Sequence, residues 1–156
     1  MRRKDREIND LNEIINIVKA CQVMRLGMVG LRGEPYVVPV NFGWGLQDEQ
    51  LILYFHGATQ GLKLDILREH PQVCFEFDTD HEFIPSDVPC GCSFKYASVI
   101  GWGRVELLET DEAKAVGLRA IMRHFDCGTG DFDPEQTRRV SVGKLIVERL
   151  TGKRHA

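Results

Sequence analysis

The spacing of apolar residues changes period several times along this chain, and each change predicts an element. In DLNEIINIVKACQ, which starts at Asp10, residues Leu11, Ile14, Ile15 and Val18 fall on one face of a helix. Asp10 or Asn9 can cap that helix, and Glu13 completes a capping-box pattern with Asp10. The following VMRLGMVGLRGEPYVVPVNFGWG predicts two strands, about Val23 to Leu31 and Tyr36 to Trp44, turned at Arg32-Gly33-Glu34-Pro35. A second polar turn, Gln47 to Gln50, leads into the apolar strand LILYF. Three consecutive strands with short turns make an antiparallel meander rather than a parallel βαβ unit.

After Phe55 the pattern breaks at His56-Gly57 and becomes helical from about Gln60. PQVCFEFD, from Pro71, returns to a period of two, with Val73, Phe75 and Phe77 alternating with Cys74, Glu76 and Asp78. Thr79 to Cys92 is polar and contains prolines, which predicts a long surface loop. FKYASVIGWGRVELLE, from Phe94, is the longest strand candidate, and Gly101 and Gly103 suggest a bulge or a close approach within it. DEAKAVGLRAIMRHF, from Asp111, is a helix with a broad apolar face. A polar stretch from Cys127 to Pro134 precedes a last strand, Val142 to Leu150, and a basic tail, TGKRHA. About six antiparallel strands with some three helices can close into a small β-barrel with helices at its ends, a mainly β fold. With no repeat and no linker, residues 1–156 form a single domain.

Composition adds limits. At 43% hydrophobic and 28% charged residues, the chain has the make-up of a soluble globular protein. A net charge of -3 without a large basic block gives no reason to expect a nucleic-acid or anionic-membrane surface. No apolar run approaches the roughly 18 residues of a membrane span, and no secretory h-region follows the basic start, so the expected location is cytoplasmic. The five cysteines have no framework spacing and are expected to be reduced thiols. Cys90-Gly-Cys92, with His81 and Glu82 upstream, lacks the ligand set of a zinc site and reads as a loop with incidental thiols.

Three stretches could carry function. In YFHGATQGLK (54–63), a strand ends at a glycine and a helix begins, so unpaired N–H groups point outward and favour an anion. Lys63 in the first helical turn opposes the helix dipole, a conflict that a bound phosphate would relieve. A glycine-rich corner with a solvated lysine is the competing reading, and the stretch alone leaves both open. In YVVPVNFGW (36–44), Pro39 cannot donate to a ladder, which marks an edge, a bulge or a ligand-facing segment. In SVIGWG (98–103), Trp102 is flanked by small residues and could be a core residue or an aromatic wall. No paired carboxylates, Ser-His-Asp order or HExxH motif is present, so any redox or transfer chemistry would come from a cofactor.

Taken together, MRRKDREI, RLG (25–27), PYVVPVNFG, LYFHGATQGLKLDIL, VCFEFD, YASVIGWG, IMRH and KL with TGK and His155 resemble the pyridoxamine 5′-phosphate oxidase-like flavoproteins. Within them they are most similar to the 5-nitroimidazole-resistance (Nim-type) FMN-binding proteins. The resemblance runs through nearly the whole chain in order. It implies an antiparallel six-stranded split β-barrel, a homodimer, and FMN (or, as the lesser choice, FAD) held in clefts at the subunit interface. Carried over by residue, His56, Gly57, Ala58, Gly61 and Lys63 would surround the phosphate and ribityl chain. Pro39, Val40 and Asn41 would present backbone to the isoalloxazine ring, with Phe55 close by. Ser98 to Trp102 would face the flavin from the second subunit or the barrel floor. His70 falls where a histidine near the flavin is expected, and is the candidate for a catalytic role; a plain helix-end residue is the alternative. The arginine- and serine-rich phosphate site and the C-terminal extension of true pyridoxamine phosphate oxidases are not matched, so that oxidation is not implied. The expected function is flavin-dependent reduction of a small electron-poor, nitroaromatic-like substrate. The alternative is a non-catalytic flavin- or haem-binding carrier.

Overall fold

A computed structural model describes residues 3–88, 90–128 and 130–156; Met1 and Arg2 of the N-terminal motif lie outside these residues. A single 3-10 turn (Lys4–Arg6) precedes β1 (Glu7–Ile8), α1 (Leu11–Ala20), β2 (Met24–Val29), β3 (Pro35–Val40), β4 (Phe42–Gln47) and β5 (Gln50–Gly57). Then come α2 (Leu62–Glu69), β6 (Gln72–Ile84), β7 (Ser93–Leu107), α3 (Asp111–His124), α4 (Pro134–Arg138) and β8 (Ser141–His155). No helix among the described residues is long and apolar enough to cross a membrane.

All strand pairs are antiparallel, in the order β3-β2-β6-β7-β8-β5-β4, with β1 added to β8. The two end strands, β3 and β4, are joined through Asn41 alone, so the sheet must curl until its edges meet. They do not pair with each other, and the barrel is split along that seam. Alternating residues fill the interior: Leu26, Phe42, Leu53, Phe55, Phe75, Phe77, Val99 and Leu145 are all fully or almost fully buried. Asp10 caps α1 by accepting from the Asn12 N–H (2.8 Å), and Ile14, Ile17 and Val18 close one end of the barrel.

Four expectations change. The sheet has eight strands rather than six, because Asn41 divides the Tyr36–Trp44 stretch in two and Glu7–Ile8 adds a short strand. Thr79 to Ile84 is not loop but the outer end of β6, paired with the start of β7 in a hairpin arm. The tail is also strand: Thr151 to His155 continues β8 along β7, and Gly152 is buried against Ile8 and Ile14. The Cys127–Pro134 stretch ends in α4, whose Asp133 forms a capping box with Gln136. The bulge expected near Gly101 and Gly103 lies between Trp102 and Gly103, where a Cβ on Gly103 would collide with the Ile146 carbonyl.

Candidate functional site

The 57–63 corner is built from backbone constraints. β5 ends at Gly57 and α2 starts at Leu62, with Gly61 as its cap residue at φ +139°, a torsion that side chains other than glycine rarely adopt. No side chain among the described residues caps this helix. The Leu64 and Asp65 N–H groups bond to the Gly61 carbonyl. Those of Leu62 and Lys63 find no acceptor among the described residues and face out of the corner. Ser141 Oγ donates to the Ala58 carbonyl (2.7 Å), tying the corner to the start of β8.

Lys63 folds back over this corner. Its Nζ lies 5.4 Å from the Phe55 ring centroid, and a Cβ on Gly57 would stand only 3.1 Å from it. No carboxylate comes within 4.0 Å of it among the described residues, and burial lowers its pKa below the ordinary lysine value. A half-buried cation without a counter-charge, beside two free helix N–H groups, is suited to an anion such as a phosphate.

Strand alternation turns His56 to the face opposite Phe55. There it lines a cleft of about 430 Å³ with Asn41, Ile121, Met122, Phe125 and Cys127. Its pKa is lowered, first by burial and then by Lys63. Asn41 Nδ2 donates to the Gln22 carbonyl (3.1 Å). Val40 points into the barrel, whereas Pro39 sits on the outer face beside Arg25. The chain thus brings Asn41, Phe55, His56, Gly57, Ala58, Gly61 and Lys63 to one end of the barrel.

Ser98 and Trp102 are placed elsewhere, on the outer face of β7 beside Asp78 and Cys74 of β6. Three strand spacings, about 14 Å, separate them from β3. Arg149 lies over the Trp102 ring, 3.9 Å from its centroid, and Arg25 pairs with Glu76 (3.2 Å) and Asp78. His70 is also apart: its Nδ1 lies 3.0 Å from the Val29 carbonyl, at the Pro35 end of β2, while Asn41 follows the Met24 end. His81 pairs with Asp78 (2.8 Å), Cys92 Sγ donates to the Ser86 carbonyl (3.8 Å), and no ligand set of three His, Cys, Asp or Glu gathers among the described residues.

Several lining residues carry no mark in the sequence. Met122, Phe125 and Cys127 read as helix face and loop. Arg149 reads as a strand residue, although its alternation with Thr151 and Lys153 puts it on the Trp102 face. A larger groove of about 740 Å³ runs beside the corner, between α2, the end of β7 and the start of β8. It touches the corner through Thr59 and Ser141, and its charges are mixed, from Arg68 and Arg104 to Glu106 and Glu109.

The fold is similar to that of a Bacteroides thetaiotaomicron protein described as a candidate 5-nitroimidazole antibiotic resistance protein. That likeness has 33% identity and a TM-score of 0.83, covering 94% of this chain and 85% of that one. It is also similar to a FAD and heme binding protein from Mycobacterium smegmatis, at 18% identity and TM-score 0.81, over 96% of this chain and 73% of that one. A flavocytochrome from Azotobacter vinelandii matches at 20% identity and TM-score 0.82, over 100% and 72%. At such identities the last two establish the fold alone. A search of curated proteins by sequence gives no match. The sequence model described as pyridoxamine 5′-phosphate oxidase matches residues 10–154, and with so much of the chain spanned, this protein belongs to that family.

Proposed function

We propose that this chain is a cytoplasmic flavoprotein that binds FMN as a homodimer and reduces a small, electron-poor substrate of the nitroaromatic class. The observation that carries this reading is Lys63, half-buried and without a carboxylate partner among the described residues, over an open helix N-terminus. Lys63, Gly57, Ala58, Gly61 and the Leu62 N–H would hold the phosphate, with His56 beside them. Pro39 to Asn41 would present backbone to the ring, and Phe55 would support the corner from below. When bound, FMN would supply the two-electron redox chemistry, drawing on a nicotinamide donor. The protein's part is to hold the phosphate, orient the ring and exclude water.

The outer face of β3-β2-β6-β7 supports the dimer. Val37 (62% exposed), Ile100 (40% exposed) and Trp102 lie on that face, around Gly27, which has no side chain. A second copy seated there would cover them and bring its Ser98 and Trp102 towards the first copy's flavin. His70, tied to the Val29 carbonyl at the far end of β2, is left outside this site. The resistance-protein likeness supports the nitroaromatic substrate class.

The test begins with the visible spectrum of the purified protein, which should show flavin absorption. Stopped-flow mixing with NADH or NADPH should bleach it, and a nitroaromatic panel should restore it. A protein that binds flavin but is reduced by neither donor would be a carrier, and the reductase reading would be wrong.

A further inference from the structure

We infer that Cys90 and Cys92, at the tip of the β6–β7 arm, form a reversible redox site: a dithiol that a low-molecular-weight disulfide oxidises to an intramolecular Cys90–Cys92 bond. The site stands apart from the flavin corner and does not depend on it.

The tip is built around Ser86. β6 ends at Ile84 and β7 begins at Ser93, and these two residues form the last rung of the arm. Beyond it the Val88 N–H donates to Ser86 Oγ (3.2 Å), and the Gly91 N–H donates to the Val88 carbonyl (2.9 Å). Cys92 Sγ donates to the Ser86 carbonyl (3.8 Å). Gly91 lies so near Ser86 that a Cβ on it would stand 2.3 Å from the hydroxyl oxygen. The residue between the two cysteines must therefore be small, and the pair sits in a defined turn. Cys90 has φ +66°, a torsion that glycine and asparagine adopt far more readily. Its side chain is exposed and adds nothing to a core, so the thiol itself is what distinguishes this choice of residue.

The spacing suits a bond between the two sulfurs. Residues two apart have their Cα atoms within about 7 Å, and a disulfide spans roughly 4.4–6.8 Å. The other cysteines lack such a neighbour in the chain: Cys21 is buried, Cys74 is half-buried, and Cys127 is exposed. A metal ion is the competing use for two thiols. However, His81 is held by Asp78 (2.8 Å), and no set of three His, Cys, Asp or Glu gathers among the described residues.

The chemistry is thiol–disulfide exchange. One loop thiolate attacks a sulfur of the small disulfide, forming a mixed disulfide and releasing one small thiolate. The second loop thiolate attacks the protein sulfur of that mixed disulfide and displaces the other small thiol. The loop loses two electrons, the small disulfide gains them, and the two cysteine protons pass through solvent to the two small thiols. The new bond links residues already adjacent, so it constrains the unfolded chain little and adds little stability. At an exposed tip it also stays open to attack by thiols. Such a bond follows the surrounding thiol–disulfide balance and is not a permanent cross-link.

The test treats the full-length, reduced chain with glutathione disulfide, blocks remaining thiols with N-ethylmaleimide and weighs the cysteine peptides. The peptide carrying Cys90 and Cys92 should lose the mass of two hydrogen atoms, take up no label, and regain both thiols in dithiothreitol. Cys127, exposed and without a neighbouring cysteine in the chain, should stop at a glutathione adduct and serves as the internal reference. Such an adduct on Cys90 or Cys92 should be at least about tenfold less abundant, because the second thiol displaces it. In Cys92→Ser the adduct on Cys90 should persist as it does on Cys127, and Cys90→Ser should leave it on Cys92. Both positions are exposed, and should either variant fail to fold, the peptide masses of the unsubstituted chain decide. A glutathione adduct on Cys90 or Cys92 at the level of Cys127, in the unsubstituted chain, would overturn the inference. So would modification of Cys127 while both loop thiols stay reduced, or a bond from either one to Cys127 or to a second chain.

Discussion

Replacing Lys63 by alanine separates the phosphate reading from a plain glycine-rich corner. Lys63 Nζ reaches over Phe55, with Gly57 beneath it, and meets no carboxylate among the described residues. A hydrogen bond to a charged group contributes about 1.5–3 kcal/mol net. Because Lys63 is only partly buried, the lower half of that range applies, so Lys63→Ala should raise the Kd for FMN roughly 13- to 45-fold. The flavin-free protein behaves differently. Burial lowers the folded-state pKa of Lys63, so the unfolded chain binds more protons as pH approaches the ordinary lysine value. The buried ammonium therefore costs stability at neutral pH, and that cost is relieved as pH rises. Lys63→Ala should leave the flavin-free melting temperature unchanged or slightly higher, and shrink the increment produced by FMN. Fluorescence titration with FMN and paired thermal melts give both quantities. An unchanged Kd would refute the phosphate assignment, and a large fall in the flavin-free melting temperature would show that Lys63 is structural.

Three further substitutions or reactions probe other parts of the account. Val37→Lys, on the exposed outer face, should convert a dimer to a monomer in light scattering and release FMN; a dimer that persists would place the interface elsewhere. Gly43→Ala should cost about 1–3 kcal/mol in urea unfolding, because its methyl has no room beneath the α3 backbone, and an unshifted midpoint would contradict that packing. Cys90, Cys92 and Cys127 are exposed and should react quickly with a thiol reagent, whereas Cys21 should react only on unfolding. Burial raises the Cys21 pKa to about 11, so early modification of Cys21 would show that the barrel end under α1 opens.

Much of the barrel is legible in the sequence because its core imposes a period. Val73, Phe75 and Phe77 alternate since one side faces the interior, and Asp10 announces α1 because its carboxylate caps the first turn. Where the core stops, the signal stops too. Asp80 to Phe83 form a strand that extends past the barrel, with both faces exposed, so nothing forces alternation and the segment reads as loop. Thr151 to His155 is misread for a related reason. Its inward residue at the packing point is Gly152, which contributes no apolar side chain, and the strand is held by β7 instead. The Asn41 break is local: the chain leaves one sheet edge and enters the other within one residue, without a glycine or proline at that point. The strand-to-helix corner at 57–63 is legible because glycines and a lysine at a helix start are a one-dimensional pattern. The cleft is not, since it joins Asn41 and His56 to residues some 65 to 85 positions later, through the lie of α3 across β4. The outer face that would receive a second copy is hidden in the same way, because Val37, Ile100 and Trp102 meet only once β3, β2, β6 and β7 are in register.

The central claim is that the 57–63 corner holds a flavin by its phosphate, and comparing FMN with riboflavin tests it most directly. The two share the ring and ribityl chain and differ in the phosphate. Titrated against the same protein by fluorescence quenching, FMN should bind at one per chain and at least about tenfold more tightly than riboflavin. Equal affinity for the two, or no binding of either, would contradict the account.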